Sequence, residues 1–272
     1  MLLTLKESIL YGPVNSRRLG KSLGINLMPW KYKLCSFNCI YCHFGWTNKL
    51  SLDIKKYIKD MPLLEDVIKA VEQAAQSDME FNYLTFSGNG EPTLYPQFPE
   101  LVEEIIKIRD KFRPSVKLAL LSNSTGLLYE NIRAVIPKID IPVFKLDAGT
   151  EDTFKAINRP VRGIHFDKIV AYLGKLKNIY IQTVFLGGNP TNDTEAELHA
   201  YFEKIKRIKP KEVHIYSIDR PVPDLHITLI SPNRLEEIAR QGERVTGIRF
   251  KAFYRAHLIK RSIPINRPPL KK

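Results

Sequence analysis

The stretch Cys35-Ser36-Phe37-Asn38-Cys39-Ile40-Tyr41-Cys42 holds every cysteine of the 272-residue chain. Thiolates gathered this way are soft-metal ligands, and the spacing C-x3-C-x2-C lets one loop wrap three sulfurs around one inorganic centre. A cubane iron–sulfur cluster has four irons, so three cysteines leave one iron open to a small molecule. A disulfide framework does not suit an odd count with no secretory segment before it. A structural zinc site needs a fourth ligand. His43 stands next to Cys42, but adjacent ligands fit a tetrahedral knuckle poorly, and a second C-x2-C or H-x3-H pair is absent.

The octapeptide resembles the cluster-binding loop of the radical S-adenosylmethionine (radical SAM) superfamily, including the aromatic Tyr41 just before the last cysteine. That resemblance implies one [4Fe-4S] cluster on Cys35, Cys39 and Cys42, with S-adenosylmethionine chelating the open iron. Reduction would then cleave the sulfonium to a 5′-deoxyadenosyl radical. It also implies a one-electron donor such as flavodoxin or ferredoxin.

Length and composition set the frame. A chain of this size fits one domain of α/β-barrel dimensions, 44% of it is apolar, and no run approaches the 18 or more apolar residues of a membrane span. Residues 1–10 interrupt their apolar stretch with Lys6, Glu7 and Ser8 and offer no cleavage site, so a soluble, cytoplasmic protein without a membrane partner is expected. The net charge of +13 is segregated. Residues 1–50 hold seven Lys/Arg and one acid, residues 249–272 hold eight and none, and the 198 residues between them sum to −1. Basic ends of this kind suit a polyanion such as RNA, or a solvated surface kept for solubility.

Strand and helix signals alternate from the first apolar run onward. Residues 11–22 read as irregular, with Gly12-Pro13 and Gly20 as breakers. A first strand over 23–28 opens into the cysteine loop. Strands follow at 83–86, 116–121, 141–146, 179–185 and 212–217, with helices near 63–77, 97–112, 127–136, 165–176 and 194–208 between them. Six strands with helical crossovers make a parallel sheet, and the family resemblance favours a (βα)6 partial TIM-like barrel with basic N- and C-terminal extensions. The expected divisions are an extension over 1–22, the barrel over 23–220, and residues 221–272 packed on or beside it. That last part comprises a helix over 231–245 started by Ser231-Pro232, a strand over 248–254 and a basic tail over 262–272.

Ligands of parallel α/β barrels sit at the carboxyl ends of the strands. After the second strand stands Ser87-Gly88-Asn89-Gly90-Glu91, which resembles the family's Gly-Gly-Glu motif; its glycines permit close backbone approach and Glu91 offers a carboxylate. The resemblance makes Gly88, Asn89, Gly90 and Glu91 contacts for the amino group of S-adenosylmethionine. The resemblance makes Asn123, after the third strand, a candidate contact to the ribose or methionine moiety, and a helix cap accounts for it equally well. Lys145-Leu146-Asp147 puts a charged pair at an apolar strand end, marking a site or an internal salt bridge. Asp147 is a candidate cofactor contact, as is Arg159, whose guanidinium suits a carboxylate unless it is held in a bridge. Gln182 falls where the family places ribose contacts, and Tyr216 near the adenine edge. Tyr41 would shield the cluster from water, and the resemblance implies that it also packs beside the adenine.

The block from Tyr11-Gly12-Pro13-Val14 through Arg17-Arg18-Leu19-Gly20 to Gly24-Ile25-Asn26, with Asp147 and Asn158-Arg159-Pro160, is similar to radical SAM oxidoreductases related to the wyosine tRNA-modifying enzymes. This implies a tRNA or RNA substrate. Those enzymes carry further cysteines for a second cluster and this chain has none, which puts their pyruvate-condensing reaction in doubt. Two other readings stay open: a peptide, protein or small metabolite as substrate, or a non-catalytic RNA-binding module with a metal knuckle.

Overall fold

The computed structural model describes residues 2–255, so the basic tail expected over 262–272 lies outside the described residues. One sheet takes its strands in sequence order: β1 (Leu10–Ser16), β2 (Gly20–Ile25), β3 (Tyr83–Phe86), β4 (Lys117–Ser122), β5 (Ile141–Lys145), β6 (Tyr180–Val184), β7 (Glu212–Tyr216) and β8 (Phe250–Phe253). From β2 to β8 each strand is parallel to the next, and β1 lies antiparallel on the β2 edge. Crossovers carry α1 (Leu64–Gln76), α2 (Phe98–Phe112), α3 (Glu130–Val135), α4 (Glu151–Asn158), α5 (Phe166–Leu173), α6 (Glu195–Ile208) and α7 (Pro232–Thr246). Parallel pairing makes such crossovers necessary.

Alternation along the strands assigns the two faces of the sheet. Leu84, Phe86, Leu118, Leu120, Phe144, Ile181, Val213 and Ile215 are buried in the hydrophobic core. The intervening Thr85, Leu121, Lys145, Gln182 and Tyr216, with Gly24 of β2 and Phe253 of β8, border a single cavity. All seven parallel strands reach one cavity because the sheet curls into a partial barrel. Helix signals acted as read: the Ser231 hydroxyl accepts from the Arg234 amide at 3.2 Å, Pro232 follows it, and Gly247 ends α7 at φ +70°.

Both ends of the sheet differ from the sequence reading. Residues 11–22 are not irregular: they contribute to a hairpin, and the strand expected at 23–28 begins at Gly20 and ends at Ile25. Gly12-Pro13 marks a register shift between Tyr11 and Val14, and Gly20 sits at the hairpin turn with φ +74°. The breakers therefore shape strands rather than exclude them. At the far edge β8 adds a seventh parallel strand, delivered by α7 as β3 to β7 are by the helices before them. Among the described residues, no helix is long and apolar enough to cross a membrane.

Candidate active site

The thiol loop is pinned on both sides by backbone. The Asn38 amide donates to the Asn158 carbonyl at 3.0 Å, Ile40 to Ile157 at 3.0 Å, and Val161 donates back to Ser36 at 2.9 Å, so the end of α4 clamps the loop. On the other side Gly90 pairs with Leu34, next to Cys35, and a Cβ there would stand 1.7 Å from the Leu34 carbonyl oxygen. Only glycine allows that approach. Gly88 holds φ +131° beneath Asn26, again a glycine conformation.

None of the three cysteines is paired. Burial pushes the Cys35 thiol up to about 12 and Cys39 to about 11. Lys33 lies within electrostatic reach of all three: burial opposes its charge, but the sulfurs of Cys42, Cys35 and Cys39 hold it above its usual value. Asn123 Nδ2 stands 3.5 Å from Cys35 Sγ, and Asn158 Nδ2 stands 3.5 Å from Cys39 Sγ. Three soft donors with a cation and amide N–H groups around them fit a cluster carrying negative charge, since such donors stabilise ligated sulfur. The buried Asn158 Oδ1 has no hydrogen-bond partner among the described residues.

Beside the loop opens a cavity of about 460 Å³. Of the candidate residues, Tyr41, Gly88, Gly90, Gln182 and Tyr216 border it together with Cys42. Asn123 and Asp147 lie behind it, around a crevice next to Phe37 and Asn158. Asn123 acts as the cap the sequence offered, its Oδ1 accepting from Thr125 N at 3.0 Å, and its Nδ2 donates to Ser36 Oγ at 2.8 Å within the loop. Asn89 and Glu91 do not reach the cavity. The Asn89 side chain is taken up by the Lys6 and Pro29 carbonyls at 2.8 and 3.0 Å. Glu91 accepts from Thr93 N, Thr93 Oγ1, Ser122 Oγ and Asn123 N at 3.2, 2.6, 2.8 and 2.6 Å, and burial still raises its pKa. Arg159 also stays outside: it pairs with Asp224 at 3.3 Å and stacks on Trp46, because φ +43° at the end of α4 turns the chain away.

The charged pair at the end of β5 is both a salt bridge and part of the site. Lys145 Nζ is 3.0 Å from Asp147 Oδ1 and donates to Tyr216 OH at 3.0 Å, lying over the rings of Tyr41 and Tyr216. Burial alone would lower Lys145, but Asp147 and then Tyr216 hold it above its usual value, so it is an ammonium in the cavity wall. Tyr41 donates its hydroxyl to Asp147 Oδ2, and burial followed by that carboxylate raises its pKa well above 10. Asn158 Nδ2 joins the same oxygen at 2.8 Å, and the Val184 amide takes Oδ1 at 2.9 Å.

Sequence reading passed over Arg18 as a site residue, although its doublet with Arg17 was visible. The hairpin tip carries it across the barrel mouth, where it donates to Gln182 Oε1 and lies 5.0 Å over the Tyr216 ring. Only pairing of β1 with β2 makes that reach legible.

Residues 31–200 match the family described as the Radical SAM superfamily. The chain belongs to that superfamily. A radical SAM enzyme uses a [4Fe-4S] cluster and S-adenosylmethionine, so both are cofactors of this protein. It is 32% identical over 240 residues to a UPF0026 protein of Methanocaldococcus jannaschii, covering 86% of this chain and 70% of that one. It is 31% identical over 243 residues to a Brachyspira hyodysenteriae protein named GTPase Obg, covering 88% of this chain but spanning about a third (34%) of the relative's length. Among solved structures, Streptococcus suis SuiB bound to S-adenosylmethionine aligns at TM-score 0.62 with 14% identity, covering 87% of this chain and 52% of that one. Archaeal TYW1 aligns at 0.53 with 15% identity, covering 83% and 72%. Those two likenesses show the fold. Membership in an enzyme superfamily removes the non-catalytic metal-knuckle reading.

Proposed function

We propose that this radical SAM enzyme abstracts hydrogen from an RNA, with tRNA as the first candidate, held at the mouth of the 460 Å³ cavity. The reading rests on one observation: Tyr41 and Cys42 of the thiol loop, the backbone of Gly88 and Gly90, and the cation Lys145 border the same space. When bound, the cluster and S-adenosylmethionine supply a reductively generated 5′-deoxyadenosyl radical as the hydrogen acceptor. Cys35, Cys39 and Cys42 would hold the cluster, and Asn123 and Asn158 would donate to its sulfur environment. The glycine backbones give S-adenosylmethionine room to approach, and Gln182 and Tyr216 close the far wall. Curled strands and aromatic side chains exclude water from the reacting centre and hold the target near it. RNA is favoured by the cations Arg17, Arg18 and Arg220 at the rim and by the charge segregation of the ends. Unpaired thiols suit a reducing cytoplasm, where a flavodoxin- or ferredoxin-type donor would provide the electron.

Anaerobic reconstitution with iron and sulfide should give a brown protein that forms 5′-deoxyadenosine with dithionite and S-adenosylmethionine. Cys42→Ala should abolish that product. An iron-loaded wild-type protein that makes none would end the proposal. Mass spectrometry of RNA from a deletion strain should reveal a missing modified nucleoside, and an unchanged RNA profile with active S-adenosylmethionine cleavage would redirect the search to a peptide or small metabolite.

A further inference from the structure

Asp219 follows β7 at the cavity rim, its side chain only 5% exposed. Arg17 Nη2, from the β1–β2 turn, reaches its Oδ2 at 2.6 Å, and Arg255 Nε, just past β8, reaches the same oxygen at 2.7 Å. The two arginines come from opposite edges of the open barrel. Both remain well exposed, at 41% and 37%.

Two guanidiniums on one carboxylate oxygen leave a surplus positive charge and, among the described residues, most of their ten N–H donors unused. Without the carboxylate between them the heads would repel each other. We propose that Asp219 acts as a positioning residue that fixes Arg17 and Arg255 side by side as a seat for a substrate phosphate, from an RNA backbone or a phosphorylated small molecule. This rests on the reading of the cavity as the active site and specifies its substrate chemistry. The planar forks match phosphate oxygens, and a phosphate offers three acceptors where Asp219 supplies one. Arg18 and Arg220, on the same rim, and Lys145, inside, extend a positive field toward the cavity. Facing charges of the other sign are Asp219 itself and the deeper Asp147, which is engaged by Lys145, Tyr41 and Asn158.

The test uses the reconstituted full-length protein with three probes: unfractionated tRNA, ribose 5-phosphate and inorganic phosphate. Arg17→Ala and Arg255→Ala should each weaken tRNA binding about tenfold and flatten the slope of log affinity against log salt by about 0.7 to 0.9. Arg249→Ala removes the same charge at the amino-terminal end of β8, away from the cavity, and should do neither. Arg17→Lys keeps the charge but not the fork and should also weaken binding, which guards against a misfolded alanine variant. Asp219→Asn decides the matter. It makes the protein more positive, so a diffuse field would bind tRNA more tightly, whereas a positioned seat binds it more weakly. Tighter binding by Asp219→Asn, or equal losses from Arg249→Ala and Arg17→Ala, overturns the proposal. The same pattern on ribose 5-phosphate and inorganic phosphate assigns the seat to a small phosphorylated substrate; the pattern on tRNA alone assigns it to an RNA backbone; its absence from all three refutes the seat. Formation of 5′-deoxyadenosine by the wild type is scored separately, so failure of the seat and failure of the radical reading are distinguishable.

Discussion

Glu91 and Asp147 are two buried carboxylates at strand ends of one sheet, each accepting four hydrogen bonds, and they have opposite surroundings. Glu91's donors are all neutral and all internal: two from Thr93, one from Ser122 and one from the Asn123 backbone. Asp147 is held by Asn158 and the Val184 amide on one side, and on the other by Lys145 and Tyr41, whose remaining surfaces line the cavity. A carboxylate saturated by neutral groups fixes a turn. One that orders a cation and a phenol at a cavity wall can present them to a ligand.

The largest effect should come from Asp147→Ala, which strands the buried ammonium of Lys145. Removing one partner of such a pair costs about 3 to 5 kcal/mol, read as a shift of the denaturation midpoint, and product formation should fall with it. Glu91→Gln comes next. It turns an NH2 donor toward the backbone N–H of Thr93 or of Asn123, which can only donate, costing about 1 to 3 kcal/mol, and should leave S-adenosylmethionine affinity unchanged in the protein that remains folded. A folded Glu91→Gln protein of normal stability that no longer binds S-adenosylmethionine would break the comparison, making Glu91 a ligand group after all. Lys145→Met sharpens it from the other side. It leaves the Asp147 carboxylate on its neutral donors Tyr41, Asn158 and Val184, so it too should destabilise, by about 1 to 3 kcal/mol, while substrate-dependent 5′-deoxyadenosine formation drops tenfold or more, about 1.4 kcal/mol.

The family and barrel were legible because they depend on local pattern. Thiol spacing is a property of eight consecutive residues, and a buried parallel strand announces itself as a short apolar run. The strand-end glycines were equally readable, since Gly88 and Gly90 are needed where backbone meets Asn26 and Leu34. Less legible was whatever depended on which side chain satisfies which. Nothing in Gly-Asn-Gly-Glu states that Asn89 and Glu91 spend their hydrogen bonds on Lys6, Pro29, Thr93 and Ser122 while the glycines border the cavity. Arg159 and Arg18 show the same limit in opposite directions. The first is an arginine near the loop that faces Asp224, and the second a distant one that a hairpin brings onto Gln182. The hairpin was missed because Gly and Pro inside it read as interruptions.

A third buried carboxylate, Asp219, extends the contrast to pH. Burial by itself would raise its pKa, but Arg17 and then Arg255 outweigh that and hold it below the ordinary aspartate value. A carboxyl whose folded pKa is depressed contributes stability that is present above its unfolded pKa, near 4, and lost as pH falls through the folded value. The stability difference between wild type and Asp219→Asn should therefore be constant from pH 7 to about 5 and shrink below about 4. Thermal melts across that range measure it directly. A difference that widened on acidification would mean that Asp219 protonates more readily in the folded protein, and the two arginines would then not be held by a carboxylate at all.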